Sequence, residues 1–152
     1  MDEDLIPSFF ATFSRFEYAL KASGRANAGR NDSAEANWQD AERAIRNNGP
    51  SVIAKAGILL TDPPRRQILR DGKLGWEPAG PAGDQAQNLV AAVKRVRNNL
   101  FHGGKYSPTG NELSPRSIQL VTCAKAVLNE LLQLPDLKDV ADCFHRYDPD
   151  EG

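Results

Sequence analysis

The chain has 152 residues, of which 40% are apolar and 26% are charged, and its formal net charge is -1. This length suits one domain with one hydrophobic core, and the near-neutral charge excludes a generally basic nucleic-acid coat, so any RNA contact must be local. No apolar run reaches the roughly 20 residues that cross a membrane, and the acidic N-terminus does not resemble a secretory signal. Cys123 and Cys143 are too isolated for a disulfide framework or a zinc site. Together these features indicate a cytoplasmic protein without a metal or other cofactor.

Apolar periodicity predicts an all-α fold, a bundle of about four main helices with short accessory helices. We expect a single domain over residues 1–147 and a flexible acidic tail over residues 148–152. The first helix contains Pro7 in its first turn and ends at Gly24. Its apolar stripe shares one face, which favours core packing over a stack for a ligand; the stripe consists of Phe9, Phe13, Phe16 and Leu20.

The next segment is expected to be a polar loop, residues 25–32, followed by a second helix. Ser33 is a plausible N-cap for that helix, and Trp38, Ala41 and Ile45 mark its buried face. A short third helical piece runs from Ser51 to Leu60. The stretch from 65 to 83 is otherwise irregular, with a small hairpin centred on Asp71-Gly72, a pair that suits a type I′ turn. Trp76 is expected to fix this loop against the helices.

A long helix beginning near Asp84 carries the most informative stretch, LVAAVKRVRNNLFHGGKY from Leu89 to Tyr106. Its apolar stripe is Leu89, Val93, Val96 and Leu100. Lys94, Arg95 and Arg97 crowd the same turns, and His102 stands at the helix end. Gly103 and Gly104, which adopt left-handed conformations readily, are expected to stop the helix. One more long apolar helix and a short one follow, up to about residue 147.

The segment Arg97-Asn98-Asn99-Leu100-Phe101-His102 reads as arginine, a polar residue, three further residues and histidine. This pattern resembles the signature of the HEPN superfamily, all-α domains that include many metal-independent ribonucleases. The N-terminal FSRFEYALKASG (Phe13 to Gly24) and the middle segments DPPRRQIL and DGKLGW (within Asp62 to Trp76) resemble the corresponding parts of one bacterial HEPN branch. The resemblance therefore covers most of the chain in order.

These residue types suit cleavage of RNA by its own 2′-hydroxyl. A histidine near neutral pH can move protons, and an arginine fork matches two phosphate oxygens. We expect Arg97, His102 and Asn98 to be the catalytic group, with Asn98 orienting His102 or the phosphate. Lys94, Arg95 and Lys105 are the expected RNA-binding residues. Arg97 and His102 diverge on a straight helix, so either the glycine break lets His102 turn towards Arg97 or a second copy completes the site.

The resemblance implies further residues and partners. Glu17 matches an acidic residue that the family often carries on its first helix near the arginine–histidine site, although a solvated surface carboxylate is an equal alternative. Some HEPN toxins carry a tyrosine two residues after the histidine, where a partner nucleotidyltransferase modifies it. Here Tyr106 stands four residues after His102, which departs from that spacing. The implied setting is a toxin or phage-defence effector that acts on RNA as a homodimer, with an antitoxin or nucleotidyltransferase as partner.

Plainer interpretations of these residues remain open at this point. A histidine before Gly-Gly commonly caps the last helical carbonyls, and a basic run commonly forms a solvated helix face. The domain would then be a catalytically inactive HEPN module that binds a nucleotide or scaffolds a partner protein.

Overall fold

The computed structural model describes residues 4–104 and 113–146, and this part of the chain is mainly helical with two small antiparallel sheets. The strictly all-α prediction is therefore correct only for the main architecture. The helices are α1 (Leu5–Ala22), α2 (Gln39–Asn48), α3 (Pro50–Ala56), α4 (Ile58–Thr61), α5 (Gln85–His102), α6 (Pro115–Leu131) and α7 (Lys138–His145). The strands are β1 (Ala26–Ala28), β2 (Ala34–Ala36), β3 (Arg66–Arg70) and β4 (Lys73–Glu77), and short 3-10 turns lie at Arg30–Asp32 and Pro135–Leu137.

The core lies around α6, which packs against α1, α3 and α5, and α1 also packs against α7. The predicted stripe of α1 is confirmed, because Phe9, Phe13, Phe16 and Leu20 are all buried. Phe16 stacks on Trp38 with ring centroids 5.0 Å apart, which joins α1 to the start of α2. Since aromatic side chains bury the largest apolar areas, this junction is a main source of core stability. No described helix is both long enough and apolar enough to cross a membrane.

The polar loop predicted for residues 25–32 is wrong in part, since this region forms the β1–β2 hairpin. Ser33 was predicted to cap the second helix, and this is also wrong. Ala34–Ala36 pair with β1 after Ser33, so the chain is still extended there. The helix begins later, at Gln39, whose backbone N–H donates to Asn37 Oδ1 at 2.9 Å. An Asn side chain thus satisfies a free N–H of the first turn, as an N-cap residue does.

The third helical piece is divided at Gly57 into α3 and α4. Gly57 has φ +49, a value that side-chain-bearing residues rarely adopt. The β3–β4 hairpin is confirmed, with the predicted turn at Asp71-Gly72, where both residues have positive φ (+53 and +73). These signs are those of a type I′ turn.

The long helix α5 begins where predicted, at Asp84. The Asp84 carboxylate accepts from the backbone N–H of Gln87, and the Gln87 side chain accepts from the backbone N–H of Asp84. This capping box satisfies two N–H groups that the first turn leaves free. The predicted apolar stripe, Leu89, Val93, Val96 and Leu100, is buried against the rest of the bundle.

Candidate functional site

The candidate site is the C-terminal end of α5, where the predicted catalytic residues lie. Burial of the apolar stripe turns the opposite face of the helix outward, and Lys94, Asn98, Phe101 and His102 are exposed there. His102 is the last helical residue, and the N–H of Gly103 still donates to Asn99 O at 2.9 Å. Of the two alternatives for His102, the one in which the glycine break lets it turn towards Arg97 is therefore wrong. Gly103 has φ -91 and only Gly104 (φ +71) is left-handed.

Arg97 rests on aromatic rings. Its guanidinium carbon Cζ lies 4.7 Å from the centroid of the Phe101 ring and 5.9 Å from that of Phe13. Phe10 packs edge-on against Phe101, with centroids 6.0 Å apart, and extends the platform onto α1. Arg97 is half-buried, and no carboxylate of the described residues pairs with it; its one hydrogen bond there is a 3.3 Å bond to Asn98 Oδ1. Cation–π contacts hold the guanidinium, and most of its N–H groups make no hydrogen bond to a described residue and are left for an anion.

His102 also contacts the Phe101 ring. Its imidazole meets the Phe101 ring edge-on, with centroids 4.8 Å apart, and the side chain is exposed. Within the described part of the chain, His102 makes no hydrogen bond or ion pair. The Arg97 guanidinium and the His102 imidazole therefore both contact the Phe101 ring. The distance between them cannot exceed the sum of their two distances to the centroid of that ring. They do not touch each other, because five residues of a continuous helix rotate a side chain by about 140°.

The rotation of the helix places His102 on the same face of α5 as Arg95, whereas Arg97 is turned to another face. Seven residues separate Arg95 from His102, so they lie within about 20° of each other around the axis and roughly 10 Å apart along it. Asn98 and Asn99 lie between them, and these four residues form a ridge along one side of α5. The segment after α4 borders it, since Arg95 Nη1 donates to Pro64 O at 3.4 Å and Asn99 Nδ2 donates to Arg65 O at 2.8 Å.

The environment of Arg95 is electropositive. Burial, and secondarily the positive charge of Arg66, lowers the pKa of Arg95 from its ordinary value. An arginine remains protonated in proteins despite such a shift. A phosphate at this position would relieve the repulsion and replace lost hydration, so Arg95 suits the predicted role of an RNA backbone contact. Lys94 is exposed one position earlier.

Glu17 lies on α1 and does not bond to Arg97 or His102. Its Oε2 accepts from the Trp38 indole Nε1–H at 3.1 Å. Trp38 in turn packs on Phe13, with ring centroids 5.6 Å apart, and Phe13 underlies Arg97. Glu17 thus supports the aromatic platform from behind. The predicted residues Lys105 and Tyr106, and the predicted tail at 148–152, lie outside the described residues.

Sequence reasoning missed a cavity of about 110 Å³ on the opposite side of α5, between α5, α6 and β4. Its lining includes Trp76, Asn99 and Ser117. Only Trp76 gave a signal in the sequence, as a large aromatic residue beside a turn. The described residues contain no group of three His, Cys, Asp or Glu side chains that could hold a metal ion.

Comparison with protein-family models, with curated proteins and with solved structures finds no match to this chain.

Proposed function

We propose that the protein is an endoribonuclease of HEPN type that needs no metal and acts as a homodimer in the cytoplasm. The observation that carries the proposal is the half-buried Arg97 guanidinium, which contacts the Phe101 ring without a carboxylate partner among the described residues, while the exposed His102 contacts the same ring. An unpaired cation and a proton-transfer group on one rigid helix end suit a phosphodiester substrate.

The proposed reaction is an internal transesterification. The ribose 2′-oxygen attacks the adjacent phosphorus, His102 takes the 2′-hydroxyl proton, and the bond from phosphorus to the 5′-oxygen breaks. The leaving 5′-oxygen receives a proton from solvent water, and His102 afterwards releases the proton that it took to solvent. Arg97 stabilises the charge that grows on the non-bridging oxygens, and Asn98 orients the reacting groups. The products are a 2′,3′-cyclic phosphate and a 5′-hydroxyl.

The geometry of α5 supports a site that is completed by a second copy. Arg97 and His102 of one chain diverge, so a phosphate held by the Arg97 fork does not meet the imidazole of the same helix directly. A two-fold axis near Phe101 would bring Arg97 of one protomer towards His102 of its partner. Phe101 is 62% exposed, unusually high for a phenylalanine, and such a side chain gains by burial at an interface.

Purified protein incubated with total RNA in EDTA tests this proposal, with His102→Ala beside it. We expect cleavage in EDTA and 2′,3′-cyclic phosphate ends, because the 2′-oxygen is the nucleophile. His102→Ala should lower turnover by about 10²-fold or more, the usual contribution of a general acid–base group, with RNA affinity nearly unchanged. Activity that requires Mg²⁺, or products with 3′-hydroxyl ends, would contradict the mechanism.

The alternative, a catalytically inactive module that binds nucleotides or scaffolds a protein, is favoured by the lack of contact between Arg97 and His102. The two functions differ in the mutants. A binding module should lose ligand affinity on Arg97→Ala and change little on His102→Ala, since His102 makes only a ring contact within the described residues. The proposed toxin or phage-defence setting, with an antitoxin or nucleotidyltransferase partner, rests on the HEPN resemblance.

A further inference from the structure

The cavity behind α5 has the build of a ligand pocket. Its volume is about 110 Å³, and apolar walls come from α5 and α6, with Pro64 and Trp76 closing it from the side of the hairpin. The α5 wall consists of Val96 and Leu100, the same residues whose buried stripe fixes the helix. Because helices, not loops, form two of its walls, the shape is set by the core and persists without a ligand.

The polar groups in this cavity are few and differ in their availability. Arg116 is already engaged, since it donates to the Asp62 carboxylate and to the carbonyls of Asp62 and Pro63. Arg65 lines the same cavity, is exposed, and pairs with no carboxylate of the described residues. It is therefore the cation that remains for an anionic group at the rim.

Two further residues of the cavity lining, Asn99 and Ser117, can form hydrogen bonds with the polar edge of a bound ring. The Asn99 Nδ2 donates to Arg65 O, while its Oδ1 accepts no hydrogen bond from a described residue and can accept one from a ligand. Ser117, whose side chain is buried, adds a hydroxyl on the α6 side. Such a combination of apolar walls and a few fixed polar atoms is typical of small-molecule sites.

The size of the cavity limits the ring that enters. An engineered protein cavity of about 150 Å³ holds one benzene molecule. A cavity of about 110 Å³ that opens to solvent accommodates one six-membered ring with its substituents directed outward, whereas the second ring of a purine would extend towards the opening.

We propose that this cavity binds the pyrimidine base of a nucleotide, with Arg65 on its phosphate. The inference rests on the proposed function, for which it supplies a specificity pocket. A Cβ placed on Gly103, directly after His102, would lie 3.0 Å from the Trp76 ring, so the pocket adjoins the end of the motif helix. Asn99 links the two regions, because it lines the cavity and lies on the ridge between Arg95 and His102. RNA with a pyrimidine in the pocket would run past His102.

The fluorescence of Trp76 can be used to measure ligand binding in this cavity. The chain has two tryptophans, and Trp38 is 5% exposed in the core, so a change in fluorescence on ligand addition reports on Trp76. We expect UMP and CMP to quench the emission with saturation, and AMP and GMP to bind at least about tenfold more weakly. Ribose 5-phosphate and inorganic phosphate are the controls for an anion effect. Trp76→Phe should lose the signal while calorimetry still detects UMP.

Two variants test the position of the ligand. Ser117→Phe places a ring in the cavity and should abolish UMP binding. Arg65→Ala leaves the cavity open and should weaken UMP binding about tenfold or more, the usual effect of losing a charge-assisted hydrogen bond. Arg30→Ala, an exposed arginine in the other hairpin, is the matched control and should bind UMP as the wild type does. If Ser117→Phe does not fold, Arg65→Ala alone decides.

The opposite results overturn the inference. Absence of saturable UMP binding, equal binding of purine and pyrimidine nucleotides, equal binding of ribose 5-phosphate, or unchanged UMP binding in Arg65→Ala would each remove the pyrimidine pocket. These outcomes are separate from RNA cleavage. Cleavage without nucleotide binding leaves the ribonuclease and eliminates the pocket, whereas UMP binding without cleavage in EDTA leaves the pocket and eliminates the ribonuclease.

Discussion

At the scale of single residues, Arg97 is one of the arginines that lack a neutralising carboxylate among the described residues. Within this part of the chain, six arginines form ion pairs with aspartate or glutamate: Arg25, Arg43, Arg46, Arg66, Arg70 and Arg116. Arg97 is held by Phe101 and Phe13 instead. Aromatic contacts fix the plane of a guanidinium without consuming its charge, which is the state that a phosphate-binding arginine requires.

Arg97→Lys should therefore not be a conservative change. Lysine keeps the positive charge, but it loses the planar stack on Phe101 and the bidentate fork. If Arg97 binds the transition state, turnover should fall about tenfold or more, while the Kd for RNA changes less. Single-turnover cleavage and filter binding measure the two quantities. A loss confined to RNA affinity would assign Arg97 to ground-state binding, and circular dichroism controls for the fold.

At the scale of elements, the end of α5 depends on Gly103 for space, not for a left-handed backbone. A Cβ at this position would lie 2.5 Å from Asn99 O and 3.0 Å from a Trp76 ring carbon. Both neighbours are constrained, one by the helix and the other by the hairpin, so the helix end or the hairpin must shift.

We predict that Gly103→Ala lowers the free energy of unfolding by about 1–3 kcal/mol, the usual cost of overpacking. It should also reduce RNA cleavage, because His102 precedes the shifted residue. Gly80→Ala is the matched control: its Cβ would meet nothing within 4 Å, so we expect a change within about 0.5 kcal/mol. Urea denaturation measures both. Equal stability of the two variants would show that the hairpin yields freely at Gly103.

The start of α5 should give the protein a measurable acid sensitivity. The hydrogen bond from the Arg46 side chain, followed by that from the backbone N–H of Gln87, lowers the pKa of Asp84 from its ordinary value. A carboxyl whose pKa is lower in the folded state stabilises the fold above its unfolded pKa of about 3.9, and that contribution disappears as the pH falls through the folded value.

Asp84→Asn keeps a side chain that caps helices well but cannot titrate. We therefore expect the Tm of Asp84→Asn to fall less between about pH 5 and pH 3 than that of the wild type. Asp136→Asn is the control, since the Asp136 carboxylate makes no hydrogen bond or ion pair to a described residue. The dependence of its Tm on pH should follow that of the wild type. Parallel profiles for Asp84→Asn and the wild type would contradict the assigned role.

The elements that the sequence predicted well are those determined by local patterns. The stripe of α5, its start near Asp84 and the Asp71-Gly72 turn each depend on neighbouring residues, and all three are confirmed. The β1–β2 hairpin was missed because Ala26–Ala28 and Ala34–Ala36 are short and exposed, and they lack the alternation of a half-buried strand. The cavity was missed because it forms only when α6 and the hairpin, distant in sequence, pack on α5.

At the scale of the whole molecule, a net charge of -1 conceals an uneven distribution. Aspartates neutralise several arginines of the bundle; for example, Arg25 pairs with Asp40 and Asp139 and so connects α2 and α7 to the end of α1. Arg65, Arg95 and Arg97, around the end of α5, have no such partner among the described residues. RNA binding should therefore be local and weakened by salt.

If the α5 ends of two protomers associate as proposed, they form a shared active site. If Arg97 of one protomer acts with His102 of its partner, Arg97→Ala and His102→Ala homodimers are both inactive, but a heterodimer contains one intact site. Random exchange makes about half of the dimers heterodimers with one working site of two, so about a quarter of the wild-type activity should return. Co-refolding of the two variants and a cleavage assay measure this, after light scattering has shown the wild type to be dimeric. A site built from one chain predicts no recovery, because each chain of the mixture lacks one of the two groups. Recovery would thus show that Arg97 and His102 of one active site come from different protomers, an arrangement that the 140° divergence along α5 favours.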